Sequence, residues 1–124
     1  QANNSEWKHR SMHNCGYKCV ITGGAFNDIH HLYSKNLIYN EIKNELCLKD
    51  DFNINNCTDE MKQTILQMFI KKQDEHPTGV CLSRKMHKAF HIAYGFGNNT
   101  EEQFLEFINT VAPDRVDYIK SLIA

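Results

Sequence analysis

The chain has 124 residues, 41% of them apolar and 10% aromatic, enough for one compact core and too few for two comfortable ones. Lys and Arg number 14 against 15 Asp and Glu; a formal net charge of −1 sets up no overall field for nucleic acid or an anionic membrane, so any such site has to be a local patch. No apolar stretch approaches the roughly 20 residues that cross a bilayer, and the polar opening QANNSEWKHR lacks the apolar run of a secretion signal. A start at Gln1 reads as that of a piece excised from a longer chain. Five cysteines at irregular spacing fit a closed disulfide framework poorly and point to a reducing, cytoplasmic compartment. Only Cys15 and Cys19 are close, with no second close pair to complete a four-ligand zinc site, and the thiols read as small core residues.

Punctuation gives the elements in chain order. A helix around Trp7 to Asn14 ends at Gly16, and the β-branched run Cys19-Val20-Ile21 predicts a strand stopping at Thr22-Gly23-Gly24. The double glycine predicts a hairpin, with a return strand through Phe26 to Leu32 that carries Ile29, His30 and His31. Ser34 offers an N-cap to a helix with Leu37, Ile38, Ile42 and Leu46 on one stripe. Thr58, Asp59 and Glu60 open a second long helix through Met61, Ile65, Leu66, Met68, Phe69 and Ile70, with its end fixed by Pro77. Val80-Cys81-Leu82 is a short strand, and Ser83 caps a helix through Met86, Phe90 and Ala93 that Gly95 closes. Thr100 with Glu101 and Glu102 begins a helix bearing Phe104, Phe107 and Ile108, and Pro113 stands in the first turn of a last one. The expected fold class is α+β: a mostly helical single domain with a small hairpin.

Charge is placed more tellingly than its total. From His76 to His91 there are three cations (Arg84, Lys85, Lys88), three histidines and no acid, a window suited to an anion. From Ala93 onward five acids face two bases, an ordinary solvated surface. His87 and His91 lie four apart, so on a helix both project from one face, close enough to share a metal ion. By themselves two such histidines are more often partly exposed surface or core-edge residues. His30 and His31, adjacent in an apolar strand end, add to them. Alternation can send one ring into the core and the other to solvent; alternatively one imidazole binds metal while its neighbour accepts a proton from water.

Cys19-Val-Ile-Thr-Gly, Ile29-His30-His31-Leu-Tyr-Ser, Gly79-Val-Cys-Leu, His87-Lys-Ala-Phe-His91 and the run from Tyr94-Gly-Phe-Gly-Asn-Asn-Thr to Phe104 together resemble the HNH endonucleases of phages and mobile elements. The resemblance runs from about Tyr17 to Ile108. It implies a ββα-metal unit, a hairpin with paired histidines followed by a helix that supplies further ligands, inside a single nuclease domain over residues 1–124. It also implies roles. His31 is the general base; His30, His87 and His91 hold one divalent cation, Mg²⁺ or Mn²⁺ in function, with Zn²⁺ or Ni²⁺ also able to occupy the site. Arg84, Lys85, Lys88 and, more weakly, Lys35 and Tyr33 contact DNA phosphates, while His76, His9 and His13 remain surface or capping residues. The family's asparagine, nine residues before the first helix histidine, falls on Thr78, which joins the catalytic set without an amide's paired donor and acceptor. Asn27, Asp28 or backbone carbonyls are the alternatives for orienting an imidazole. Residues 34–75 form a helical insertion, which either thickens the core through Leu37, Ile42, Ile65 and Phe69 or lengthens the DNA footprint.

The expected function is therefore metal-dependent cleavage of DNA phosphodiester bonds, leaving a 5′-phosphate and a 3′-hydroxyl. One site nicks one strand, and a double-strand break needs a homodimer or two events. The competing reading is a DNA-binding or structural module in which the ion only ties hairpin to helix.

Overall fold

The computed structural model describes residues 2–76 and 78–123, with side chains from Glu6 onward. The unusual start at Gln1 and the helix stop assigned to Pro77 lie outside the described residues. Four helices begin where hydroxyl caps were expected. Ser34 accepts from Leu37 N at the start of α2 (Lys35–Glu45), and Thr58 accepts from Met61 N at the start of α3 (Asp59–Glu75). Ser83 caps α4 (Arg84–Tyr94), and Thr100 forms a reciprocal capping box with Gln103 at α5 (Glu101–Val111). Each cap satisfies a backbone N–H that the first helical turn leaves without a partner. The chain opens with α1 (Ala2–Asn14) and closes with a 3-10 turn at Pro113–Arg115 running into α6 (Val116–Ile123). Among the described residues no helix is long and apolar enough to cross a membrane.

The strands depart from expectation. Cys19-Val20-Ile21 is a turn: Cys19 N–H donates to Gly24 O and Gly23 N–H to Cys19 O, closing the segment on itself. Its apolar side chains are buried without forming a ladder, and a single bond, Val20 N–H to Cys81 O, ties it to the sheet. Three β-branched or small residues cannot distinguish a strand from a buried knuckle, because no period is established over so short a run. The expected hairpin at Gly23-Gly24 is therefore absent. The return strand Phe26–Leu32 shrinks to β1 (Asp28–His30), which pairs antiparallel with β2 (Val80–Leu82) far along the chain: Asp28 faces Leu82, Ile29 faces Cys81 and His30 faces Val80. With α4 directly following β2, this two-stranded sheet is the platform for the histidines.

Two apolar clusters form. The main one gathers Val20, Leu32, Val80, Leu82, Phe90, Phe104, Ile108 and Ile119 around the sheet, α4, α5 and α6. The second, Ile38, Ile42 and Ile65 with Phe69 and others half-buried around them, lies between α2 and α3. Helices α2 and α3 thus build their own small core. Leu37 takes no part in it.

Where α1 crosses the sheet, Gly79 permits contact that no side chain would allow. An added Cβ would stand 2.7 Å from His30 O, from Ile29 Cγ2 and from Trp7 Cη2, while Gly79 N–H donates to Ser11 Oγ at 3.0 Å. Gly79→Ala should cost about 1–3 kcal/mol, the range for overpacking a tight interior, read as a lower urea midpoint at unchanged slope; an unshifted midpoint would show the three contacts to be compliant.

A candidate three-histidine metal centre

His30 closes β1, His87 and His91 lie one turn apart on α4, and the β1–β2 pairing brings the two stretches together. One nitrogen from each ring lies within 4.8 Å of the other two. His30 Nδ1 is 3.3 Å from His87 Nε2, and His91 Nε2 is 3.1 Å from His87 Nε2. Imidazole nitrogens about 2.0–2.1 Å from a tetrahedral ion stand about 3.3–3.4 Å from one another. Two of the three separations match that spacing, and the third, between His30 and His91, lies within 4.8 Å.

Hydrogen bonding fixes which nitrogens carry protons. His91 Nδ1 lies 2.9 Å from Gly95 O, a carbonyl that can only accept, and His87 Nδ1 lies 3.3 Å from Asp28 Oδ2. Both Nδ1 atoms are donors, which leaves both Nε2 atoms as bare lone pairs pointing at each other. Such an arrangement is repulsive until a positive charge enters between them. Burial, the largest influence, together with the neighbouring His91, holds His87 below its ordinary pKa against the opposing pull of Asp28. A divalent cation with an affinity for nitrogen fits.

His30 is 3% exposed, with Phe90 at 4.6 Å and Phe104 at 5.3 Å between ring centroids. Burial first, and then the neighbouring histidines, push its pKa down to about 3. Its Nε2 is buried without a hydrogen-bond partner among the described residues. Ligation through Nδ1 would place the proton on that Nε2 and leave it without a partner, a cost of about 1–3 kcal/mol.

His31 leaves the strand on the other side. Its ring stacks on Trp7 at 4.1 Å and 17°, and its Nε2 is 3.0 Å from Gln73 Oε1. Burial, partly opposed by that bond, pushes its pKa down to about 4. His31 and the triad line one cleft of about 710 Å³ with Trp7, Lys8, Lys35 and Phe96. Phe96 is 84% exposed and stacks on His91 at 4.2 Å and 11°.

The other expected site residues divide. Lys35 lines the cleft; Arg84, Lys85 and Lys88 are exposed on α4 outside its described lining. With about 100° between successive helical residues, Arg84 and Lys88 lie about 40° and 80° from the histidine face and Lys85 about 140° from it. Thr78 is half-buried ahead of β2 and is not among the described residues lining the cleft. Asn27 uses its side chain to accept from Arg84 N at 2.9 Å, and Tyr33 donates to Glu41, away from the triad. The orienting work is shared among Asp28, a backbone carbonyl and Gln73. Gln73, like Trp7, was not foreseen. The available signal was its place four residues beyond Phe69 and eight beyond Ile65, a polar side chain on a core-facing stripe.

Two outcomes follow for the metal centre. Asp28→Asn should weaken Zn²⁺ binding about 10–100-fold by calorimetric titration, as loss of a ligand's outer partner does; unchanged affinity would remove Asp28 from the site. For the metal-free protein, the unfolded chain takes up protons below the ordinary histidine pKa of about 6.5, whereas folded His30 and His31 stay neutral down to about 3 and about 4. Stability is therefore complete above that value and falls as pH drops through the window, by up to ~1.4 kcal/mol per pH unit for each ring. Urea midpoints at pH 7 and pH 5 check this, and equal midpoints would contradict it. Compared with known protein families, curated proteins and solved structures, the chain matches none.

Proposed function

We propose that the chain is a metal-dependent nuclease that hydrolyses DNA phosphodiester bonds. The observation that carries this reading is a cation-ready imidazole triad sharing one cleft with a further imidazole that belongs to no ligand set. The ordered resemblance to HNH endonucleases supports it, as do Lys8 and Lys35 on the cleft wall.

In this reading His30, His87 and His91 hold a single divalent cation. When bound, the cation supplies Lewis-acid charge for the phosphate oxygens. His31 accepts the proton of a water whose oxygen attacks phosphorus, and the bond from phosphorus to the 3′ oxygen breaks. The 3′ oxygen leaves with a proton from solvent, giving a 5′-phosphate and a 3′-hydroxyl. Lys8, Lys35, Arg84 and Lys88 hold the strand through its phosphates, which positions DNA without reading its bases. Thr78 has no step in this scheme. One centre cuts one strand.

A second reading has one observation in its favour: all three ligands are imidazole nitrogens, a donor set better suited to Zn²⁺ or Ni²⁺ than to Mg²⁺. In that case the ion ties β1 to α4 in a DNA-binding or structural module that cuts nothing.

Supercoiled plasmid separates the two. The purified chain with Mg²⁺, Mn²⁺, Zn²⁺ or Ni²⁺ should convert it to open circles, and His31→Ala should slow conversion about 10²–10⁴-fold with Zn²⁺ binding retained. Arg84→Ala and Lys88→Ala should each flatten the dependence of DNA affinity on salt by about one counterion, and Lys85→Ala should flatten it less. Failure to nick with every cation supports the structural module, and wild-type nicking by His31→Ala removes the proposed base.

A further inference from the structure

The hydrogen bond from His31 to Gln73 gives the inserted helices a task beyond packing. His31 Nε2 and Gln73 Oε1 are 3.0 Å apart, and Gln73 is 1% exposed on the inner face of α3. An amide oxygen has no proton to give, so the imidazole donates, and its Nε2 carries the hydrogen. The lone pair is then on Nδ1. Trp7, stacked against the ring, leaves it little freedom to turn over. Tautomer and orientation are thus set together.

The end of α3 that carries Gln73 is tied down on two sides. Arg10 of α1 pairs with Asp74 at 2.7 Å. On the other side, Lys72 bridges Glu41 and Glu45 of α2, His76 Nε2 lies 3.4 Å from Glu41, and Tyr33 both donates to Glu41 and stacks on His76 at 3.8 Å and 12°. Tyr33 is two residues from His31. These contacts couple the chain just past the sheet to α2 and α3, and they fix Gln73 relative to the ring it accepts from.

We infer that Gln73, delivered by the inserted helix α3, is the positioning residue that holds His31 with its Nδ1 lone pair facing the attacking water. The inference rests on the nuclease reading for its catalytic meaning. It assigns residues 34–75 a function at the site: the buried amide does for the base what Asp28 and the Gly95 carbonyl do for the ligands.

The test uses the full chain with one equivalent of Zn²⁺ and ¹⁵N-labelled histidine. Ring-nitrogen shifts should report His31 as the Nε2–H form in the wild type. Gln73→Met, similar in shape but without the accepting oxygen, should average the two forms. Gln73→Glu, whose carboxylate accepts the same N–H, should restore the wild-type pattern. In plasmid nicking under the most active cation, Gln73→Met should lose about 10–100-fold in kcat with KM for DNA held, as expected for a residue acting through another, and Gln73→Glu should recover most of it. Gln73→Asn, which draws the amide back by one methylene, gives the same expected loss should Gln73→Met fail to fold.

An Nδ1–H signal in the wild type overturns the inference, as does an unchanged His31 spectrum or wild-type kcat in a folded Gln73→Met or Gln73→Asn. Gln73→Glu as slow as Gln73→Met, with both folded, removes the accepting role. If the wild type cuts nothing with any cation, the nuclease reading fails and takes the positioning role with it. Cutting by the wild type with no loss in folded Gln73→Met removes the positioning role alone.

Discussion

His87 Nε2 and His91 Nε2 face one another at 3.1 Å while the opposite nitrogen of each ring donates outward, one to Asp28 and one to the Gly95 carbonyl. In a half-buried site, two lone pairs held at that distance are unfavourable alone and become a binding site when a cation lies between them. The outer partners are responsible. With either Nδ1 free, the rings could exchange tautomers, and one imidazole would donate to the other as an ordinary hydrogen bond. The third nitrogen comes from His30, whose burial among Phe90 and Phe104 keeps it neutral and therefore able to bind metal.

The fold supplies this arrangement through a long-range pairing. β1 and β2 are three residues each and meet across residues 31–79, so the loop-closure entropy between them has to be offset by what packs around the sheet. Trp7 and Gly79 close it on one side, and Phe90 and Phe104 on the other. The same contacts hold the site. Trp7 stacks on His31, Gly79 touches the His30 carbonyl, and the ring of Phe90 packs against His30 and His91. Disturbing the core here disturbs the centre.

Local chemistry was legible in the sequence and distant chemistry was not. Ser34, Thr58, Ser83 and Thr100 each mark a helix start by a bond made within three residues, and all four helices begin there. His87 and His91 are readable as a pair because a helix alone fixes their spacing. Cys19-Val20-Ile21 defeats the reading because so short an apolar run fits a strand or a buried turn equally; the bonds that close it as a turn run from Cys19 N–H to Gly24 O and from Gly23 N–H to Cys19 O. The partner of β1 was hidden for the same reason. Gln73 lies 42 residues from His31, and nothing near either in sequence names the other. Its only local mark is a polar side chain on the stripe of Ile65 and Phe69. Thr78 rests on an offset taken from a family resemblance, and an offset carries no information about which side chains α3 brings to the cleft.

A titration with Co²⁺ followed by its d–d absorption tests the central claim most directly, since band position and intensity report both nitrogen ligation and low coordination number. The triad predicts saturation at one equivalent per chain in the wild type. It also predicts loss of the bands in His87→Ala, with the fold retained by far-ultraviolet circular dichroism. Absence of saturation at one equivalent in the wild type, or an unchanged titration in folded His87→Ala, would contradict it.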